Sequence, residues 1–266
     1  MKTKVIVVGA AGRMGKRFIA LSTESGEFDI AGAVEMPGHP DLGKDAGQNA
    51  GIGTINITIA ENFQDVQADV VVDFSLPDAI TKTLDFCVKT NIPLVSGQTG
   101  LNADQKEQVS KASQKVPILY TTNMSMGMNV LFALAGKAAA MLGEDYDIEI
   151  IEQHHRFKKD APSGSALTIA ENICNATGKD INKCLVHGRE GKEALREKGE
   201  IGMHAIRAGD ITGIHSVIFS CLGETLTLNH NAHSRDTFIR GALRAAKWIV
   251  NQNIGLYSTR DMLGIK

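Results

Sequence analysis

The sequence predicts an α/β protein in two parts, a doubly wound parallel sheet followed by an α+β domain with a mixed or antiparallel sheet. Continuous apolar runs such as Val5 to Val8, Ala68 to Ser75 and Ile92 to Gly97 recur between helix-like segments in the first half, as strands buried on both faces do. From about Asp147 onward the runs alternate apolar with polar residues, the pattern of strands with one wet face. The 266 residues are 43% apolar and 22% charged, with 27 glycines, a globular composition with chain enough for one large or two modest domains.

The first apolar run ends in glycines and leads into a helix from about Arg13 to Ser25, then a second strand over Phe28 to Val34: one βαβ unit. The Gly, Asp, Asn and Pro content between Met36 and Gly53 predicts a long loop. Strands at Ala68 to Ser75 and Ile92 to Gly97 flank a helix that begins near Pro77, and Val116 to Asn123 forms a further strand after a polar helix. After Asn123 the character changes. A helix over Met126 to Leu142 leads to DIEIIEQHH, where Ile148 and Ile150 alternate with Asp147, Glu149 and Glu152 and predict a wet face for the acids. GMHAIRAGD, GIHSVIFSCLG and ETLTLNHNAHS read as an antiparallel meander. A last amphipathic helix, Asp236 to Gln252, can pack back on the first domain. The expected domains are therefore residues 1–125 with 236–266, and residues 126–235.

With 28 Lys and Arg against 30 Asp and Glu the net charge is −2, so no whole-protein field exists to hold nucleic acid or anionic lipid, and a small-molecule partner is expected. Cys87, Cys174, Cys184 and Cys221 form no C-x-x-C pair, which indicates buried free thiols of a reducing compartment. The opening MKTKVIVVGAAGRMG reads as a strand, not an export signal. The segment from Met126 to Leu142 is interrupted by Lys137 and reads as too short for a bilayer. A cytoplasmic protein without membrane partners is expected.

Gly9, Gly12 and Gly15 follow the first strand directly in GAAGRMG. With Ala11 in place of the middle glycine the pattern is G-x-x-G-x-x-G, yet it keeps a tight turn, close backbone approach and a helix N-terminus aimed at a pyrophosphate. Glu35 ends the second strand twenty positions after Gly15, where a carboxylate can accept from both hydroxyls of an adenosine ribose. Together these predict a Rossmann-like dinucleotide site. Met36 follows Glu35 where NADP sites place cations, although Arg13 and Lys16 could reach a 2′-phosphate; use of both NADH and NADPH is expected, with NADH favoured. GQTG (Gly97 to Gly100) and TTNMSMG (Thr121 to Gly127) lie at strand C-termini, where open α/β sheets bind ligands, and are candidates for the nicotinamide end.

The densest polar cluster is EQHHRFKKDAPSGSA, Glu152 to Ala166. Ser163, Gly164 and Ser165 at a helix start offer backbone donors to a carboxylate. Lys158, four residues after His154, adds a charge and a proton. His154 and His155 are adjacent and would point to opposite faces of a strand unless it ends there. No H-x-x-x-H or cysteine pair completes a metal site, so metal catalysis is not expected.

GAAGRMG, Val34-Glu35, SGQTG, TTNMSMGMN, IIEQHHRFKKDAPSGSA, IRAGDITGIHSV and NAHSRDTF, in this order, closely resemble the 4-hydroxy-tetrahydrodipicolinate reductase (dihydrodipicolinate reductase) family. The resemblance implies an enzyme of the diaminopimelate route to lysine, acting on a small dicarboxylate. It also implies an N-terminal dinucleotide domain, a C-terminal domain that binds substrate and forms a homotetramer, and a hinge between them. By motif, His154 resembles the family's acid/base residue and Lys158 its proton donor, with Lys158 also at the substrate. His155, Ser163, Gly164 and Ser165 match the positions that hold substrate carboxylates. Gly9, Ala10, Ala11, Gly12, Arg13, Met14, Glu35, Gly97, Gln98, Thr99, Thr121, Thr122, Asn123 and Met124 correspond to cofactor contacts. Met36, Gln98 and Met124 depart from residues common in the family, a departure that bears on cofactor preference. Two other possibilities stay open: a dehydrogenase of another dicarboxylate, such as an aspartate dehydrogenase, and a non-catalytic NAD(H)-sensing regulator.

Overall fold

A computed structural model describes residues 1–265. It begins with strand β1 (Thr3–Val8), helix α1 (Arg13–Ser25), β2 (Phe28–Val34), α2 (Ala46–Asn49), β3 (Ile59–Ala60), β4 (Val70–Asp73), α3 (Ile80–Thr90), β5 (Leu94–Ser96), α4 (Ala103–Ala112) and β6 (Pro117–Tyr120). Next come α5 (Met126–Leu142), β7 (Asp147–His154), α6 (Gly164–Thr177), α7 (Ile181–Cys184), β8 (Leu185–His187), β9 (Ile201–Arg207), β10 (Ile214–Cys221) and β11 (Glu224–Asn231). The chain then runs through α8 (Asp236–Ile249), β12 (Gly255–Tyr257) and α9 (Thr259–Leu263). Two compact units result, Met1–Ser125 with Asp236–Lys266, and Met126–Arg235.

The first unit is built on a seven-stranded sheet of order β12-β6-β5-β4-β1-β2-β3, parallel at every pairing. Val5, Val7, Val70, Val71 and Val72 are fully buried, because helices cover both faces and leave a central strand no wet side. Each such side chain contributes on the order of 1.5–3 kcal/mol by leaving water. Helix α1 starts at Gly12 and stops at Gly26, which takes φ 68°, a left-handed cap that glycine adopts without steric cost. Helix α8 belongs to this unit and lies against α1: Arg17 Nε donates to Asp236 Oδ1 at 2.6 Å and Lys247 Nζ to Glu27 Oε1 at 2.6 Å. These exposed pairs fix orientation more than they add stability.

In the second unit a five-stranded sheet runs β11-β10-β7-β9-β8. β10 pairs antiparallel with β7 and β11, whereas β9 pairs parallel with β7 and β8. This corrects the expected meander: β7 lies between β9 and β10. The physical reason is the connection from β7 through α6 and α7, long enough to carry the chain back over the sheet so that it re-enters in the same direction.

Helices α5 and α6 pack on one face of this sheet, burying Leu131, Ala135, Ile169 and Ile173 against Ile148, Ile150, Val217 and Phe219. The apolar segment containing α5 runs on through the following turn to Asp145 and is long and apolar enough to cross a membrane by length and composition, where the sequence predicted a segment too short. Its buried residues fill the core of this unit, as the central helix of a two-layer domain does. Glu149 lies on the face turned away from the helices, where it pairs with Arg189 at 3.0 Å and with His204 at 2.6 Å. Glu152 does not share that face. Its parity along β7 is that of Ile148 and Ile150, and it is fully buried, which corrects the expected wet position.

Candidate active site

In the first unit each glycine of GAAGRMG has its own steric reason. Gly9 leaves β1 with φ +74°, and a Cβ there would stand 2.8 Å from the Ser75 backbone nitrogen and 2.9 Å from the Phe74 carbonyl carbon. Gly12 donates its N–H to the Gly9 carbonyl at 3.0 Å and caps α1. A Cβ at Gly15 would collide with the Gly9 carbonyl oxygen. Ala11 in the middle is tolerated because its methyl is buried without disturbing these approaches. The result is a strand-to-helix turn at the positive end of α1, chemistry suited to a dinucleotide's pyrophosphate.

Glu35 lies next to that turn. Its Oε2 accepts from the Ala11 N–H at 2.9 Å and its Oε1 from the Met36 N–H at 2.8 Å. Each carboxylate oxygen keeps a lone pair for a hydroxyl. Lys16 is held at 3.5 Å by Asp41, which also binds Lys44 at 2.5 Å; the Lys44 ammonium holds the Asp41 carboxyl well below its ordinary range. Arg13 is exposed.

The loops after β4, β5 and β6 meet at the same C-terminal edge of the sheet. A Cβ at Gly97 would stand 2.8 Å from the Phe74 ring and 3.3 Å from Met124 Cε, so Met124, buried, packs on the Gly97 turn. Gln98 is buried too, and its amide donates to Ser75 Oγ and the Leu76 carbonyl at 2.9 Å each, while its backbone N–H donates to Ser96 Oγ at 3.4 Å; its side chain ties two loops together. Thr99 and Thr122 are exposed. Thr121 Oγ1 donates to the Asn123 carbonyl at 3.1 Å, and Asn123 Oδ1 accepts from the Ser125 N–H at 2.9 Å, a compact side-chain-closed turn.

In the second unit β7 ends at His154 and a turn begins with Arg156, so the two adjacent histidines escape the strand's alternation. His154 Nδ1 lies 2.6 Å from Glu152 Oε2. The buried Glu152 carboxylate also accepts from Arg207 Nη1 at 2.8 Å, Arg207 Nη2 at 2.7 Å and the Ser163 N–H at 3.0 Å. Burial alone would push Glu152 up, but the bonds from His154 and Arg207 outweigh it and bring it down to about 2. Ser163 caps α6 through the Ala166 N–H at 3.2 Å, and its hydroxyl meets His215 Nε2 at 3.1 Å. Burial pushes His215 down to about 4, so its ring is neutral at pH 7.

The His154 and His215 rings stand edge to face at 5.2 Å. At Gly213 a Cβ would come within 3.2 Å of His154 Nε2, and nothing lies within 4 Å of a Cβ built at Gly164. The first turn of α6 therefore has open space at Gly164, and the missing side chain at Gly213 leaves His154's distal nitrogen uncrowded. Lys158 is partly buried and donates to Asp160 Oδ1 at 2.9 Å, which holds the Asp160 carboxyl below its ordinary value. His155 packs toward Phe157 at 6.3 Å between ring centroids. His154, Ser163 and Gly164 are thus close together, while Lys158 and His155 sit on the intervening turn.

Sequence reasoning missed Glu152, Arg207 and His215. Counting parity along β7 from Ile148 would have placed Glu152 inward, and a buried acid demands partners. Arg207 is the cross-strand partner of His154 in the β7–β9 register, which no local pattern encodes. Among the described residues no group of three or more His, Cys, Asp or Glu side chains is placed to hold a metal ion.

Comparison with known proteins places the chain in a family. The family model described as dihydrodipicolinate reductase, N-terminus, matches residues 3–124, and that described as dihydrodipicolinate reductase, C-terminus, matches residues 127–263. The chain is similar to the 4-hydroxy-tetrahydrodipicolinate reductase of Syntrophus aciditrophicus, 45% identical over 265 residues and 99% of each chain. To that of Citrifermentans bemidjiense it is 43% identical over the same span, again 99% of each. A solved structure, dipicolinate-bound dihydrodipicolinate reductase from Paenisporosarcina sp. TG-14, shares the fold with TM-score 0.76 at 20% identity, covering 98% of this chain and 99% of that one. The chain belongs to the dihydrodipicolinate reductase family.

Proposed function

We propose that this chain reduces 4-hydroxy-tetrahydrodipicolinate to tetrahydrodipicolinate with loss of water, in lysine biosynthesis through diaminopimelate, with His154 and Lys158 as its proton-handling residues. Family membership along nearly the whole chain carries the reaction. The single observation that carries the roles is the placement of His154 beside the Ser163-capped start of α6.

The substrate is a ring with two carboxylates. Backbone N–H groups at Gly164 and Ser165, aligned with the α6 dipole, suit one carboxylate, with Ser163 setting the helix start through its own N–H on Glu152. Lys158 and His155 supply positive charge and hydrogen bonding on the adjoining turn. Loss of the 4-hydroxyl as water leaves a conjugated cyclic imine. When bound, the reduced nicotinamide supplies the hydride for the ring carbon that becomes C4. The electron pair so displaced moves onto the enamine nitrogen or its tautomeric carbon, which takes a proton from His154 or Lys158.

The first unit is the dinucleotide domain in this proposal, binding through Gly9 to Met14, Glu35, Gly97 to Thr99 and Thr121 to Met124. A negative Glu35 welcomes the ribose hydroxyls of NADH and repels a 2′-phosphate, while exposed Arg13 offers that phosphate a partner; dual use with NADH favoured follows. The second unit binds substrate and forms the homotetramer. Its sheet face turned from α5 and α6 carries Ile151, Ile206 and Ile218 among Ser216, Thr225 and Thr227, a mixed surface suited to a second copy. The enzyme works in the cytoplasm, consistent with its four free cysteines.

A substrate panel tests the assignment. Turnover is expected with the condensation product of pyruvate and aspartate semialdehyde, and none with oxaloacetate plus ammonium. Dipicolinate, bound in the Paenisporosarcina structure, is expected to compete with the substrate. The opposite preference would make the chain a dehydrogenase of the other dicarboxylate, and cofactor binding without any turnover would make it a sensor.

A further inference from the structure

Glu152 is the one acid whose side chain lies fully buried in the core face of the second unit's sheet. A carboxylate in that place costs several kcal/mol unless it is paired and hydrogen-bonded. The Arg207 fork alone would neutralise it. Yet the carboxylate has further partners: Oε1 takes the Ser163 N–H at 3.0 Å, and Oε2 lies 2.6 Å from His154 Nδ1. Arg207 is itself held from behind by the carbonyls of Ile206 at 2.7 Å and Asp160 at 2.6 Å. The fork is thus fixed at both ends, and the carboxylate between its partners has little freedom to turn.

An ionised carboxylate accepts hydrogen bonds and donates none. His154 Nδ1 must therefore be the donor, which leaves Nε2 as the nitrogen that gains and loses a proton. That nitrogen lies over Gly213, where a Cβ would stand 3.2 Å away, so the absence of a side chain keeps the approach open.

We propose that Glu152, locked by Arg207, is the positioning residue of this reaction: it fixes the Nδ1–H tautomer of His154 and through the same carboxylate sets the first turn of α6 beside it. The inference rests on the reduction proposed above. In the proton step the Nε2–H bond of protonated His154 breaks and its proton passes to the enamine nitrogen or tautomeric carbon of the reduced ring. His154 is left neutral, with Nδ1–H still on Glu152, and regains its proton from water.

Glu152→Gln separates this role from a structural one. The amide oxygen can keep the bonds from Ser163 and Arg207 Nη2, which places the amide NH2 toward His154 and forces Nδ1 to accept. The expected result is a kcat lowered at least about a hundredfold, with KM for substrate and affinity for dipicolinate changed less than about threefold. A KM increase with kcat retained would show that Glu152 acts only through the helix start and would overturn the proposal.

Long-range proton–nitrogen correlation on the full-length protein with labelled histidine reads the tautomer directly, with His154 assigned by difference against His154→Gln. Nδ1–H in the wild type is expected, and Nε2–H would overturn the proposal even if Glu152→Gln fails to fold. Wild-type turnover on the panel above is measured first. Its absence counts against the reaction, whereas the tautomer result stands or falls separately.

Discussion

Ser163 Oγ and His215 Nε2 lie 3.1 Å apart beneath the first turn of α6, with both residues less than 5% exposed. The cap that orients the helix start therefore leans on an imidazole that burial keeps neutral. The unfolded chain protonates this histidine near its ordinary value of 6.5, whereas the folded chain does so only at about 4. Stability is expected to fall as pH drops from about 6.5 to about 4, by on the order of 3 kcal/mol, and to lose nothing further from this group below that.

Glu152 acts in the next window with the other sign of shift: the folded carboxylate stays ionised down to about 2, the unfolded one to 4.5. Its stabilisation is complete above 4.5 and is lost as pH falls toward 2. Urea midpoints by circular dichroism at stepped pH check both windows, with His215→Gln flattening the upper one. An equal slope in wild type and variant between pH 6.5 and 4 would contradict the His215 assignment.

His154→Ala and Lys158→Ala are each expected to lower kcat by about two or more orders of magnitude, the effect of losing a positioned proton donor. Steady-state kinetics with each nucleotide decide it. Wild-type turnover in both would remove these two residues from the chemistry.

Glu35 accepts one N–H from the glycine turn and one from Met36. Replacing it by Gln removes a charged acceptor worth about 1.5–3 kcal/mol and the negative charge facing a 2′-phosphate. The expected outcome is a kcat/KM for NADH lowered about tenfold or more, with NADPH reduced less or improved. Equal losses for both nucleotides would show that Glu35 serves the turn and not the choice of cofactor.

Gly15→Ala places a methyl against the Gly9 carbonyl, where backbone has no slack. Overpacking of about 1–3 kcal/mol is expected, together with NADH affinity weakened at least tenfold in a fluorescence titration. Unchanged affinity would mean that the turn does not hold the pyrophosphate.

The parallel sheet was legible because Val5 to Val8 and Val70 to Val72 are apolar on both faces and punctuated by glycines. The same rule misled in the second unit. An eye for charge placed Glu152 with Asp147 and Glu149, although the alternation through Ile148 and Ile150 turns it inward. β9 reads in sequence as part of a meander because sequence order says nothing about which strand sits between two others. His154, Lys158 and Ser163 stood out through local density and the helix-start signal. Arg207 and His215 reach the same cluster only through cross-strand register, a long-range relation that spacing does not carry. β3 and β12, two and three residues long, are too short to show any period.

The most direct measurement follows NADH and NADPH oxidation in parallel while pyruvate and aspartate semialdehyde are condensed enzymatically in the same cuvette. Both nucleotides should be consumed, NADH the faster, and only when the condensing partner is present. Neither being consumed above the blank, with the protein folded and able to bind NADH, would contradict the account.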